Sequence, residues 1–317
     1  MTIEHFIDSP PSDFSILPSL YYRYYSIAGL TLNLESDSAI TDETFNTKFK
    51  KFQVDLPTAD IITIRHIFSM CTPLIDDTWQ LVYKKDPWAI YKRGNCWIYL
   101  GISGDEKRPD FWTAGIFDES HSRGIIYHRD NTSFLNGNNQ SLTLFPTDQI
   151  LLARVLADRQ ACYVHAAGMI LHGQGILFVG HSEAGKSTTV SMLKDEGEIL
   201  CDDRIIVRHW PYGFKIHGTW SHGDIPDVSN SSAPLRAIFF LEQSQENSIE
   251  PLDKKAVIRM LPFYVIKPLV TADWWEKILD LVHLISQEVP VYRLKLDRSG
   301  KVRDLLDEFL CTDPGKQ

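Results

Sequence analysis

The chain has 317 residues, 44% of them apolar and 23% charged, with a formal net charge of −9. That excess of carboxylates excludes a general basic surface for nucleic acid or anionic membrane, and the length leaves room for two domains with a sizeable core. Five scattered cysteines (Cys71, Cys96, Cys162, Cys201, Cys311) form no C-x-x-C pair, which points to reduced thiols in a cytoplasmic protein rather than a disulfide framework or zinc site.

The opening Met1-Thr-Ile-Glu-His-Phe6 lacks the basic start and apolar core of a signal peptide. No apolar run approaches the ~20 residues that span a bilayer. Residues 1–20, rich in Ser, Pro and Asp, read as an irregular lead-in. Tyr21-Tyr-Arg-Tyr-Tyr25 then runs into residues 26–34, where Leu30, Leu32 and Leu34 alternate as in a half-buried strand. The tyrosines read as β-formers packing on neighbouring strands, in preference to a stacking platform. Residues 42–51 are polar and predicted as a short helix. Strands follow at 60–65, 88–93, 95–102, 111–117 and 124–127, with 88–93 and 95–102 forming a hairpin about Gly94. Residues 130–139 are a turn-rich bridge. This predicts a β-rich N-terminal domain over 1–145, with acceptor recognition as its candidate role, and a second domain over 146–317.

Pro146-Thr-Asp148 sets up a helix start, after which Ile150, Leu151, Val155 and Leu156 share a face. Residues 161–171 and 175–180 read as two strands joined at His172-Gly-Gln-Gly175. The second runs straight into Gly180-His-Ser-Glu-Ala-Gly-Lys-Ser-Thr188, a Gly-x-x-x-x-Gly-Lys-Ser pattern. Strand, loop and a following helix to about Asp195 are the setting in which this pattern cradles phosphate. Gly180 and Gly185 let backbone N–H groups turn inward over His181, Ser182, Glu183 and Ala184. Lys186 supplies positive charge to the terminal phosphates, the Ser187 hydroxyl can ligate Mg²⁺, and Thr188 continues the helix whose N-terminus faces the same anion. The chain is therefore expected to bind a nucleotide.

Gly197 stops that helix, and residues 198–203 return as a strand ending in Asp202-Asp203. The short connection predicts that this strand lies beside the one feeding the loop. Both carboxylates then sit at the carboxyl edge of the sheet, where α/β proteins bind ligands. One can hold Mg²⁺ while the other accepts a proton from an attacking hydroxyl. Residues 204–207 and 235–241 read as further strands, 255–260 and 271–287 as helices, 290–296 as a strand and 301–310 as a closing helix.

These residues resemble the HPr kinase/phosphorylase family, whose catalytic domain is related to phosphoenolpyruvate carboxykinases. The resemblance covers about residues 160–310. It rests on Val164-His165, on residues 180–188, and on Gly197-x-x-Leu-Cys-Asp-Asp-Arg204. It implies an α/β, P-loop catalytic domain of this kind behind the β-rich one (α+β for the whole chain). It also implies Asp202 as base toward a serine hydroxyl, His165 tuning it, and Asp203 with Ser187 placing Mg²⁺ beside ATP. Two departures stand out. The family's Glu-x-Arg-Gly-x-Gly element is replaced by Lys215-Ile-His-Gly-Thr-Trp-Ser-His-Gly223, and Glu183 stands where the loop usually has glycine. Both are similar to shortened relatives found beside peptide-maturation enzymes, including lasso-peptide kinases.

The expected function is therefore an ATP- and Mg²⁺-dependent kinase acting on a serine of a peptide or small protein, with a homo-oligomer suggested by the family. The alternatives are a nucleotide-gated binding module without turnover, and a small-molecule (free serine) or carboxykinase-like phosphotransferase. His217, Trp220 and His222 are candidates for the acceptor side, Arg204 for phosphate contact or for a pair with Asp203, and Arg259 for phosphate contact. No Asn-Lys-x-Asp guanine-reading element occurs.

Overall fold

The computed structural model describes residues 21–69, 75–85, 87–103, 110–143, 148–268, 271–297 and 301–311. The expected lead-in, Cys71, and the helix-start residues Pro146 and Thr147 lie outside them. The chain divides into two compact units, Met1–Leu151 and Leu152–Gln317, each with its own sheet. The sequence reading puts this boundary at 145/146. The architecture is mixed α/β, with a β-rich first unit. Among the described residues no helix is long and apolar enough to cross a membrane.

The first unit is built on nine strands: β1 (Tyr21–Ile27), β2 (Leu30–Ser36), β3 (Gln53–Val54), β4 (Ile61–Ile67), β5 (Gln80–Lys85), β6 (Trp88–Arg93), β7 (Cys96–Ser103), β8 (Asp110–Asp118) and β9 (Arg123–His128). Their order is β3-β1-β2-β4-β9-β8-β7-β6-β5. Ala28 and Gly29 both take left-handed φ values (50° and 82°), so a two-residue turn matched to strand twist closes β1 on β2. Leu30, Leu32 and Leu34 are fully buried, as their alternation requires. Gly94, at φ +53°, turns β6 into β7. Tyr25 is buried edge-on against Phe45 and Phe49, whereas Tyr21 and Tyr22 stay exposed. The helix expected over 42–51 is only a 3-10 turn, Thr47–Phe52. Its two buried anchors, Phe49 and Phe52, are three apart, which is the period at which a 3-10 helix stacks its side chains.

The second unit has an eight-stranded arrangement. Its strands are β10 (Ala161–Leu171), β11 (Gln174–Val179), β12 (Gly197–Cys201), β13 (Arg204–Trp210), β14 (Gly213–His217), β15 (Ser232–Gln243), β16 (Ser248–Pro251) and β17 (Val291–Leu296). Two long strands are shared between pairings. The first half of β10 pairs with β13 and its second half with β11 and β12. Likewise β15 pairs first with β14, then with β11 and β17. This places β11 in the interior, between β10 and β15. An interior strand buried on both faces needs an unbroken apolar run rather than alternation, and Ile176, Leu177, Phe178 and Val179 are all fully buried.

Helices α1 (Thr132–Asn136) in the first unit and α2 (Ala153–Ala157), α3 (Lys186–Met192), α4 (Lys254–Met260), α5 (Ala272–Glu288) and α6 (Val302–Cys311) in the second complete the chain. One expectation is corrected here. The strand leading to Asp202-Asp203, β12, does not lie beside β11, because it pairs with β10, which comes between them. The long β10 reaches both neighbours, which a reading based on the short α3 connection alone misses.

Candidate functional site

The site begins where β11 ends. Gly180 sits so close to the returning loop that a Cβ there would come 2.6 Å from the Ala184 Cβ. Glu183 (φ 67°) and Gly185 (φ 103°) both turn left-handed. Glycine adopts that conformation freely, while a glutamate costs about 1–2 kcal/mol to hold there. The loop is braced from two sides. The Gln243 amide, at the end of β15, donates to the Glu183 carbonyl at 2.7 Å, and the Tyr264 hydroxyl meets His181 Nε2 at 3.0 Å. Neither residue carries a local sequence signal. Each is brought to the loop by long-range pairing alone, and both are missed by the sequence reading.

Gly185 precedes α3 with no side chain capping the helix start. The helix covers two turns, shorter than the expected run to Asp195. Ser182, Thr188 and the loop's His181 are exposed, and Ser187 is partly buried. Lys186 is 7% exposed. Its ammonium donates to the carbonyls of Gly180 (2.9 Å) and His181 (3.0 Å) and reaches His165 Nε2 at 3.1 Å. Burial pulls the lysine below its ordinary pKa, with Asp203 and Asp202 partly offsetting that.

An ammonium can only donate, so His165 Nε2 is the acceptor and the ring proton sits on Nδ1. That nitrogen lies 3.2 Å from Asp203 Oδ1. On the other side of the same carboxylate, Arg204 Nε is 3.2 Å from Oδ2. Burial alone would raise Asp203. The His165 hydrogen bond and the charges of Arg204 and Lys186 outweigh it and hold the carboxyl below the usual range. The result is a connected line of groups, Lys186, His165, Asp203 and Arg204, that joins the loop to the end of β12. Backbone bonds fix it: His165 N–H donates to the Tyr264 carbonyl at 2.7 Å, and Ala166 N–H to the Asp203 carbonyl at 3.0 Å.

The two adjacent carboxylates have different surroundings. Asp202 is 2% exposed, and its oxygens accept the backbone N–H groups of Gly223 (2.6 Å) and Ile225 (3.0 Å). A Cβ on Gly223 would lie 3.2 Å from that carboxylate, so the loop at 223–225 closes on Asp202 because residue 223 is glycine. Asp203, and not Asp202, is the one that meets His165. Of the acceptor-side candidates, Trp220 is fully buried and His217 is 6% exposed, its Nε2 taking the Trp210 indole N–H at 3.1 Å. Burial, then Arg208 and Lys215, push His217 down to about 4. Only His222 of the three is exposed. Arg259 is exposed and donates back to the Lys255 carbonyl at 3.3 Å. Among the described residues no group of three or more His, Cys, Asp or Glu forms a ready-made metal cage.

Comparison with known proteins gives three findings. None of the curated proteins matches the chain. Among solved structures it is similar to the Hpr(Ser) kinase/phosphatase from Coxiella burnetii, with 11% identity, 47% of this chain and 87% of that chain covered, and a TM-score of 0.30. A likeness that loose carries no argument. The family described as SynChlorMet cassette protein ScmC matches residues 135–311. That match spans more than half of the 317 residues, and the chain belongs to the ScmC family.

Proposed function

We propose that this protein is an ATP- and Mg²⁺-dependent kinase that phosphorylates a serine hydroxyl of a peptide or small protein. The observation that carries the reading is the continuous contact from Lys186 in the loop, through His165, to Asp203. A phosphate-binding group and a proton-accepting pair are thereby held in one line. With nucleotide in the loop, Lys186 exchanges the Gly180 and His181 carbonyls for phosphate oxygens. The acceptor oxygen bonds to the γ-phosphorus, the bond from that phosphorus to its bridging oxygen breaks, and ADP leaves with the electron pair. The hydroxyl proton passes to the Asp203–His165 pair.

This assignment differs from the one the family resemblance implies. Asp202 spends both oxygens on the backbone at 223–225 and is proposed to hold that loop, while Asp203 takes the role beside His165. The donor set suits Mg²⁺, which takes one or two protein oxygens and completes its shell with substrate phosphates and water. The Ser187 hydroxyl is the protein group that would hold it, because both Asp203 oxygens are engaged by His165 and Arg204. When bound, it would neutralise charge on the transferring phosphate.

The test is mass spectrometry of serine-containing peptides, free serine and HPr after incubation with protein, ATP and Mg²⁺. The reading expects one added phosphate on a peptide. It also expects loss of transfer by at least about a hundredfold in Asp203→Asn, the scale on which positioned acid–base groups act. Labelling of free serine alone would move the acceptor class. Full transfer by Asp203→Asn would remove the proposed base, and ATP binding without label on any of these acceptors would favour a binding module.

A further inference from the structure

In a chain of net charge −9, residues 254–271 hold four cations (Lys254, Lys255, Arg259, Lys267) and no carboxylate. All four are exposed. Several cations elsewhere in this unit find anionic partners: Lys277 pairs with Asp158 and Asp273, Arg154 with Asp273, and Arg303 with Glu196. Among the described residues the four in this strip make no ion pair. Lys254 donates to Gln287, Arg259 to its own helix, and Lys267 lies 5.9 Å from the Trp275 ring centroid.

Two large apolar side chains stand among them, Phe263 at 76% and Ile258 at 38% exposure. The buried anchors Val257 and Leu261 fix which face is inward. Helix α4 continues into the 3-10 turn Leu261–Phe263. Residues four apart share a face, so Lys255, Arg259 and Phe263 follow one another along it, as do Lys254 and Ile258. The strip leads directly into the site. Tyr264, next to Phe263, meets His181 of the loop through its hydroxyl and takes the His165 N–H on its carbonyl.

We propose that this strip is the dock for an acidic segment of the peptide acceptor, with an apolar residue of that segment against Phe263. This rests on the kinase reading above. Unpaired cations offer an anionic partner both steering and register without first breaking internal salt bridges, and the acidic remainder of the surface repels the same peptide from wrong faces. A serine flanked by acidic residues would thus be delivered beside His165 and Asp203.

Fluorescence anisotropy tests it with a labelled Glu/Asp-rich peptide carrying one serine and one leucine, a Lys-rich counterpart and a neutral Gln version. The acidic peptide should bind best and weaken as salt rises. Lys255→Glu/Arg259→Glu should weaken it by at least about tenfold and shift preference to the Lys-rich peptide. Lys267→Glu, outside any helix, is the second variant should the double one fold poorly. Equal affinity for all three peptides, or no response to charge reversal, overturns the dock. So does preferential binding of the strip to phosphatidylserine vesicles. Failure of the two readings is distinguishable. Charge-selective peptide binding without phosphate transfer removes the kinase and keeps the surface, while transfer without charge preference does the reverse.

Discussion

Lys186 uses all three of its protons on the protein itself, two on loop carbonyls and one on His165. The loop is therefore shaped around its own cation, and under the proposed function a phosphate would have only to replace carbonyl oxygens already at hydrogen-bond distance. Gly180 makes that shape possible, since its missing Cβ is the space Ala184 occupies. Gly180→Ala should lower stability in urea titration by about 1–3 kcal/mol, the usual cost of forcing an extra carbon into a packed site. Adding Ala184→Gly should recover most of it, because the Ala184 Cβ is the atom nearest the added carbon. Failure of the second change to recover any would mean that the loop is shaped by something else.

Among the elements, β10 does the most positioning. It carries His165, pairs with β11 that feeds the loop, and pairs with β12 that ends at the carboxylates. The sequence made β11, the loop and the Asp-Asp pair legible because each is a local pattern. It could not show that β10 comes between β11 and β12, nor that Asp202 and Asp203 face different partners, since adjacent residues on a bending strand end are separated only by what packs around them. The hairpin of β13 and β14 was hidden too, because its tight turn at Pro211-Tyr212 and the glycine-bearing stretch after it read together as one loop.

That hairpin holds a pH-sensitive contact. His217 Nε2 must be unprotonated to accept the Trp210 N–H, and its folded pKa of about 4 lies below the ordinary 6.5. Its stabilising effect is complete above pH 6.5 and is lost as pH falls from there through 4, by on the order of 3 kcal/mol. Buried His66 in the first unit, also lowered to about 4, adds to the same slope. Urea titrations between pH 7.5 and 4.5 should show stability falling toward acid. The fall should be shallower in His217→Gln, which keeps an acceptor for the indole but does not titrate. An identical slope in that variant would contradict the assignment.

At the scale of the molecule, the second unit holds the features on which the proposed function rests. It holds the loop, the His165–Asp203 pair and the cationic strip, and the ScmC match ends at residue 311 with this unit's last described helix. The measurement that bears most directly on the account is calorimetric titration of ATP with Mg²⁺ into the native chain, Lys186→Ala and Asp203→Asn. Native protein should bind. Lys186→Ala should bind at least about a hundredfold more weakly, as expected for losing a charge-assisted contact made inside a water-poor loop, and Asp203→Asn should stay within about tenfold of native. Native-like affinity in Lys186→Ala, or no binding by the native chain, would contradict the account at its root.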